Sequence, residues 1–246
     1  MKRNKKQLEQ LVSLIDLTSL NYGDDLKAID DLLKIANTPY GEVAAVCVYS
    51  QFAPHVKAQL DPSSKIKVAT VINFPNGMAD LEATIFEIAL ALSRKVDEID
   101  LVFPYHALLK GDAYTPNEFI SIMRFACANK TLKVIIESGE IKDSELIELA
   151  SDICVRNNVD FIKTSTGKVP INATLEASEI ILKTIKQSGK KCGFKASGGI
   201  KTIDEATQYI KLASKIMGKE WVTPENFRFG ASSLLSDILN QSNNSK

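Results

Sequence analysis

Histidine is almost missing from this chain: among 246 residues only His55 and His106 occur. That scarcity removes most members of any histidine-ligated zinc site or histidine-dependent triad at once, so neither is expected. Paired cysteines are missing too. Cys47, Cys127, Cys154 and Cys192 are scattered without Cys-x-x-Cys spacing, which fits reduced thiols in a cytosolic core and not a disulfide or zinc framework. Linkers are absent as well: no Gly/Ser-rich, Pro-rich or low-complexity stretch divides the sequence, and no solenoid period repeats. One domain over residues 1–246 is therefore expected. Net charge is zero, with 30 Lys+Arg against 30 Asp+Glu, so there is no electrostatic footprint for nucleic acid or an anionic membrane, and any partner is expected to be small. Long apolar runs are lacking. The basic start Met1-Lys2-Arg3-Asn4-Lys5-Lys6 leads into apolar residues that Asp16 soon interrupts, so neither a signal peptide nor a membrane span is expected and the location reads as cytoplasmic.

What is there is alternation. Short apolar runs at residues 11–18, 43–49, 66–73, 98–103, 132–138, 160–165, 192–197 and 227–231 read as eight strands. Between them lie amphipathic stretches, among them 81–93, 119–128, 146–156, 177–187 and 206–216, a pattern that signals β/α units around a parallel sheet. Two helix starts have the form of a capping box, Thr115-Pro116-Asn117-Glu118 and Thr202-Ile203-Asp204-Glu205, in which hydroxyl and carboxylate satisfy orphan amides. Eight such units in this length predict an α/β fold of the (β/α)8 TIM-barrel type, with a short N-terminal helical extension and a site at the carboxyl ends of the strands. A doubly wound sheet is the alternative. It calls for a Gly-x-Gly-x-x-Gly turn after an early strand, and none occurs.

Barrel core accounts for most strand residues, so the polar exceptions carry the information. Asp16 and Thr18 close the first predicted strand, Asp100 lies in the fourth, Lys133 and Glu137 in the fifth, Lys163 in the sixth and Lys195 in the seventh. Side chains alternate along a strand, which puts Phe161, Lys163 and Ser165 on one face and Gly193, Lys195 and Ser197 on another. If both faces point inward, adjacent strands bring two lysines together, and each ammonium disfavours the charge of the other. A buried amine held neutral is a nucleophile able to form a Schiff base with a carbonyl, while a carboxylate such as Asp100 can relay protons. The plain alternative for Lys163 is an edge-strand lysine with its head in water.

Glycines follow the last three strands. Gly167-Lys168 comes after the sixth, Ser197-Gly198-Gly199 after the seventh and Gly230-Ala231-Ser232-Ser233 at the eighth, opening the final helix. Glycine lets backbone amides approach an anion closely and a helix start offers free N–H groups, so the loops after the last two strands suit a phosphate. Tight turns and an ordinary serine cap are the alternative.

At this point the chain resembles deoxyribose-phosphate aldolase. The matching runs are Ile15-Asp16-Leu17-Thr18, Val46-Cys47-Val48-Tyr49, Asn73-Phe74-Pro75, Glu98 to Val102, Leu132 to Glu137, Phe161 to Lys168, Gly193-Phe194-Lys195, Gly198-Gly199 and Arg228 to Ser233. The resemblance implies a metal-independent class I aldolase that needs no cofactor and interconverts 2-deoxy-D-ribose 5-phosphate with acetaldehyde and D-glyceraldehyde 3-phosphate in deoxynucleoside catabolism. Lys163 falls at the Schiff-base lysine, Lys195 at the second lysine that keeps it neutral, and Asp100 at the proton-relay acid. Gly167, Lys168, Gly198, Gly199, Ser232 and Ser233 fall in the phosphate-site segments, and Asp16, Thr18 and Cys47 join the substrate-binding positions. A homodimer is compatible with this reading.

Three features depart from the family's pattern. Ala196-Ser197 stands where Pro-Ala is common, a change of loop stiffness more than of chemistry. Lys201 replaces a common arginine, keeping the charge and losing the bidentate fork. The tail Asn240 to Lys246 lacks the terminal tyrosine that some relatives have. Two alternatives stand beside the family reading: another Schiff-base aldolase with a different donor, and a phosphosugar-binding barrel without turnover.

Overall fold

A computed structural model describes residues 4–243; the start Met1-Lys2-Arg3 and the end of the tail, Asn244-Ser245-Lys246, lie outside the described residues. Eight parallel strands close into a barrel: β1 (Ile15–Thr18), β2 (Ala45–Cys47), β3 (Lys67–Ile72), β4 (Glu98–Val102), β5 (Thr131–Ile135), β6 (Phe161–Lys163), β7 (Gly193–Ser197) and β8 (Phe227–Ala231). Each pairs with its successor in sequence and β8 pairs with β1, which closes the ring. The (β/α)8 expectation is met.

Around the barrel lie α1 (Lys5–Ser13), α2 (Leu26–Lys34), α3 (Ala53–Gln59), α4 (Leu81–Ser93), α5 (Tyr105–Leu109), α6 (Tyr114–Ala126), α7 (Ser138–Ile141), α8 (Ser144–Arg156), α9 (Leu175–Ser188), α10 (Ile203–Met217) and α11 (Ser233–Asn243). A two-stranded antiparallel turn, Asn37–Thr38 with Gly41–Glu42, sits between α2 and β2. Apolar residues of the outward strand faces, such as Ile99, Val134, Ile162, Phe194 and Phe229, are fully buried against the helices. Among the described residues no helix is long and apolar enough to cross a membrane.

Several sequence boundaries need correction. The first strand does not begin at residue 11, because Leu11 to Ser13 complete α1. Asn4 and Gln7 form a reciprocal capping box there, and Leu8, Leu11 and Val12 are buried at helical spacing, so a period of 3.6 wins over the apolar run that imitates a strand. Thr202 caps α10 with Glu205 as expected. Thr115 does not cap α6. Its hydroxyl and N–H instead donate to the Asp112 carboxylate, at 2.6 and 3.0 Å, and the helix starts at Tyr114. Pro116 fits the first turn, where its missing N–H has no intrahelical acceptor to lose. Strand β5 ends at Ile135, so Glu137 lies beyond the strand, in a left-handed conformation with φ 55°.

The barrel interior is divided. On β2 and β3 the inward residues Ala45, Cys47, Ala69 and Val71 make a small apolar patch with Leu20. The inward positions of β4 to β8 and β1 hold the buried charged residues Asp16, Glu98, Asp100, Lys133, Lys163, Lys195 and Arg228.

Candidate active site

Alternation along the strands and their register decide which ionisable groups meet. Asp100 pairs in register with Lys133 of β5, Lys163 of β6 with Lys195 of β7, and Lys195 with Arg228 of β8. Glu98 lies two residues before Asp100 and therefore on the same inward face. Asp16 enters from β1. All seven side chains are at least nine-tenths buried.

Their contacts form one network. Lys163 Nζ lies 2.8 Å from Asp100 Oδ2, an oxygen it shares with Lys195 Nζ at the same distance. Lys195 Nζ also donates to Asp16 Oδ2 at 2.5 Å. Lys133 Nζ reaches Asp100 Oδ1 at 2.8 Å, Glu98 Oε2 at 2.6 Å and Asp16 Oδ2 at 3.4 Å. Below them Arg228 contacts Asp16 Oδ1 at 2.6 Å and Glu98 Oε1 at 3.4 Å, donates through Nε to the Pro224 carbonyl and lies over the Phe161 ring, 5.6 Å from its centre. Two glycines make room for this packing. A Cβ on Gly193 would stand 2.5 Å from the Phe161 ring, and one on Gly230 would stand 2.4 Å from Ser197 Oγ and 3.1 Å from Lys195 Cε.

The amines are not equivalent. Burial disfavours the charge of Lys163, Asp100 only partly offsets this, and the neighbouring Lys195 adds to it, so the pKa falls below the usual lysine value. Burial also acts against Lys195 and Lys133, but their carboxylates outweigh it: Lys195 moves up under Asp100 and Asp16, and Lys133 well up under Asp100, Glu98 and Asp16. Asp100 is pushed upward by burial, yet Lys133, Lys163 and Lys195 together hold it well below the usual carboxylate range. Asp16 is lowered as well, against its own burial, by Lys195, Lys133 and Arg228. The Cys47 thiol is pushed up to about 11, by burial first and then by Asp100, and stays protonated.

Above the network opens a pocket of about 360 Å³ lined by the rims of β1, β6, β7 and β8. Of the sequence-predicted residues it holds Thr18, Gly167, Lys168, Gly198, Gly199, Ser232 and Ser233. Gly167, Gly198 and Gly199 all have φ of 83°, a conformation that glycine adopts without strain. Ser233 begins α11, whose first amides have no partner within the helix and carry positive partial charge. The Lys168 ammonium donates to the Leu20 carbonyl at 2.7 Å, which ties the β6 rim to the β1 rim. Lys201, noted in the sequence only as a departure, joins this lining. Asp16, Cys47, Asp100, Lys163 and Lys195 lie deeper. Lys163 precedes Thr166 of the lining by three residues and Lys195 precedes Ser197 by two.

Sequence reasoning named Lys133 without a role and quoted Glu98 and Arg228 only inside matching runs. The i, i+2 relation of Glu98 to Asp100 was available as a signal; the Arg228 contact crosses the barrel and had none. Glu137 holds the β6 rim: burial pushes its pKa up, and its carboxylate accepts from Thr166 Oγ1 at 2.5 Å and Thr166 N–H at 3.2 Å. Among the described residues, no group of three or more His, Cys, Asp or Glu side chains is arranged to hold a metal ion.

An amine cluster inside a closed β/α barrel, beneath a glycine-lined rim at the carboxyl ends of its strands, defines a class of enzyme, the barrel aldolases. The chain belongs to the DeoC/LacD family of aldolases, whose family model matches residues 10–239. It is 44% identical over 241 residues to a deoxyribose-phosphate aldolase of Agrobacterium fabrum (strain C58 / ATCC 33970), covering 98% of this chain and 93% of that protein. Among solved structures, one from Toxoplasma gondii ME49 superposes with a TM-score of 0.89 at 20% identity, covering 98% of this chain and 96% of that one. A deoxyribose phosphate aldolase from Aeropyrum pernix, described as a tetramer, gives 0.77 at 24% identity with 98% and 97% covered. At those identities the structural likeness bears on the fold alone.

Proposed function

We propose that the chain reversibly cleaves 2-deoxy-D-ribose 5-phosphate to acetaldehyde and D-glyceraldehyde 3-phosphate through a Schiff base on Lys163. The observation that carries this reading is the inequality of the buried amines: Lys163 is lowered, lies at the upper end of the network and makes a single carboxylate contact. A neutral Lys163 attacks the C1 carbonyl of the open-chain sugar, and the carbinolamine loses water to give a protonated imine. Loss of the C3 hydroxyl proton to a base then breaks the C2–C3 bond. The three-carbon phosphate leaves as the aldehyde, and the electron pair of the broken bond passes into an enamine on Lys163. Protonation of that enamine at C2 and addition of water release acetaldehyde and return the amine.

Asp100 suits the proton-transfer role because its carboxylate touches all three lysine amines, so proton movement among them goes through it. Lys195, raised and held between Asp16 and Asp100, remains the charged neighbour that disfavours a second ammonium at Lys163. The phosphate is assigned to the rim of Gly167, Lys168, Gly198, Gly199, Ser232 and Ser233, with Thr18 at the β1 side. Cys47, fully buried beside Thr18 in register, belongs to the apolar patch below the rim. We place this activity in the cytoplasm, in the breakdown of deoxynucleoside sugar; four buried free thiols suit a reducing compartment.

Borohydride reduction in the presence of acetaldehyde tests the reading. An ethyl group fixed on Lys163 is expected. Reduction that labels another lysine, or none, would overturn the assignment, and a donor panel that favoured a different carbonyl compound would move the substrate.

A further inference from the structure

The buried network holds four basic groups, Lys133, Lys163, Lys195 and Arg228, against three carboxylates, Asp16, Glu98 and Asp100. With every group ionised it carries one positive charge too many. An uncompensated charge in a dry interior is expelled by loss of a proton from the least stabilised cation. Lys163 is that cation. It has one carboxylate contact, to an oxygen already shared with Lys195, whereas Lys195 and Arg228 each contact two carboxylates and Lys133 contacts three.

We propose that Arg228 and Glu98, on the floor of the barrel and remote from any substrate, are positioning residues that set the protonation state of Lys163 through the charge count of this network. The inference rests on the Schiff-base reading and extends it to two residues that do not touch Lys163. Arg228 occupies Asp16 Oδ1 and leaves Oδ2 to Lys195 and Lys133; Glu98 takes Lys133 by its other carboxylate oxygen. Take away the guanidinium and three lysines face three carboxylates, so all three can be charged. Take away the Glu98 charge and the excess grows to two.

The other ionisable groups facing Lys163 lie outside these contacts and are the same in every variant that tests the count. Cys47 across the barrel stays a thiol. Glu137, beyond β5, attracts Lys163 through space, but its carboxylate is taken by Thr166 and neither Arg228 nor Glu98 contacts it, so it acts as a constant background to the count. On its outer side Arg228 borders a hollow with Glu42, Glu225, Lys65 and Lys67, groups on a surface where water screens them.

The test is the pH dependence of acetaldehyde trapping on Lys163, read by mass spectrometry beside kcat/KM. For Arg228→Met the acidic limb of both curves is expected to move up by about one unit or more, a loss of about tenfold at a pH on the parental limb that recovers at alkaline pH. Glu98→Gln should move the limb the other way. The double variant restores an excess of one and should return the limb toward its parental position, and Arg228→Lys, which keeps the charge, should leave it in place. Activity in Arg228→Met that falls equally at every pH, with the limb unmoved, would mean a purely structural role and overturn the inference. Should Arg228→Met not fold, Glu98→Gln decides alone: a limb moved down supports the charge count and an unmoved limb refutes it. No trapping on Lys163 in the parent at any pH is a different result, which overturns the Schiff-base reading and this inference with it.

Discussion

Replacing Asp100 with asparagine is the most informative perturbation of the site, because one carboxylate faces three lysine amines. Oδ1 accepts from Lys133, while Oδ2 accepts from Lys163 and Lys195, all at 2.8 Å. An amide has one acceptor oxygen. Whichever way it turns, its NH2 group points at a lysine amine, and at least one buried lysine, Lys133 or Lys195, loses its acceptor to a donor. Removing one partner of a buried ion pair costs about 3–5 kcal/mol. For a chain of this length each kcal/mol lowers Tm by roughly 2–4 °C, so a drop of about 6–20 °C is expected near neutral pH.

The pH dependence of that loss has a definite sign. Asp100 is held below its unfolded value of about 3.9, so its contribution is fully present above that pH and fades as pH falls through the folded value. The stability gap between parent and variant should therefore close on acidification below about pH 4. Thermal melts from pH 3 to 8, with chemical denaturation at two of those values, measure it. If Asp100 carries the proton as proposed, activity should fall about 10²–10⁴-fold. A variant within about 1 kcal/mol of the parent at neutral pH, or a gap that widens in acid, would refute the ion-pair geometry on which the reasoning rests.

Lys163→Arg is expected to abolish both trapping and turnover, since a guanidinium stays charged and forms no carbinolamine; substantial residual turnover would remove Lys163 from the nucleophile role. Lys195→Leu takes away one cation of the network and should push the Lys163 pKa up, so its residual activity climbs toward alkaline pH; a parental acidic limb with only a lower plateau would point instead to substrate positioning. Ser233→Glu sets a negative charge against the rim at the start of α11 and should raise KM for the phosphorylated sugar much more than for unphosphorylated deoxyribose; equal effects would place the phosphate elsewhere. Dialysis against EDTA should leave turnover unchanged, and loss rescued by zinc would contradict a lysine-only mechanism.

Much of this protein is written locally. Eight apolar runs separated by amphipathic stretches, without a linker, are enough for a β/α barrel, because each unit buries one face of its helix on its own strand. The lysines at 163 and 195 stand out from sequence because a cation at an inward strand position is costly wherever the strand lies. The glycines after the last three strands are legible for a similar reason, since close approach of backbone to an anion is a local demand. Local signals also misled. The run from residue 11 looked like strand until the Asn4–Gln7 cap and the burial of Leu8, Leu11 and Val12 made it helix, and Thr115 lost its cap to the Asp112 carboxylate next to it. What only the closed barrel decided is which of 30 cations and 30 acids share a dry interior. Arg228 and Asp16 are 212 residues apart in sequence yet 2.6 Å apart in space, because β8 must pair with β1 for the ring to close. The charge balance of the core, and with it the state of Lys163, belongs to that closure and to no single stretch of the chain.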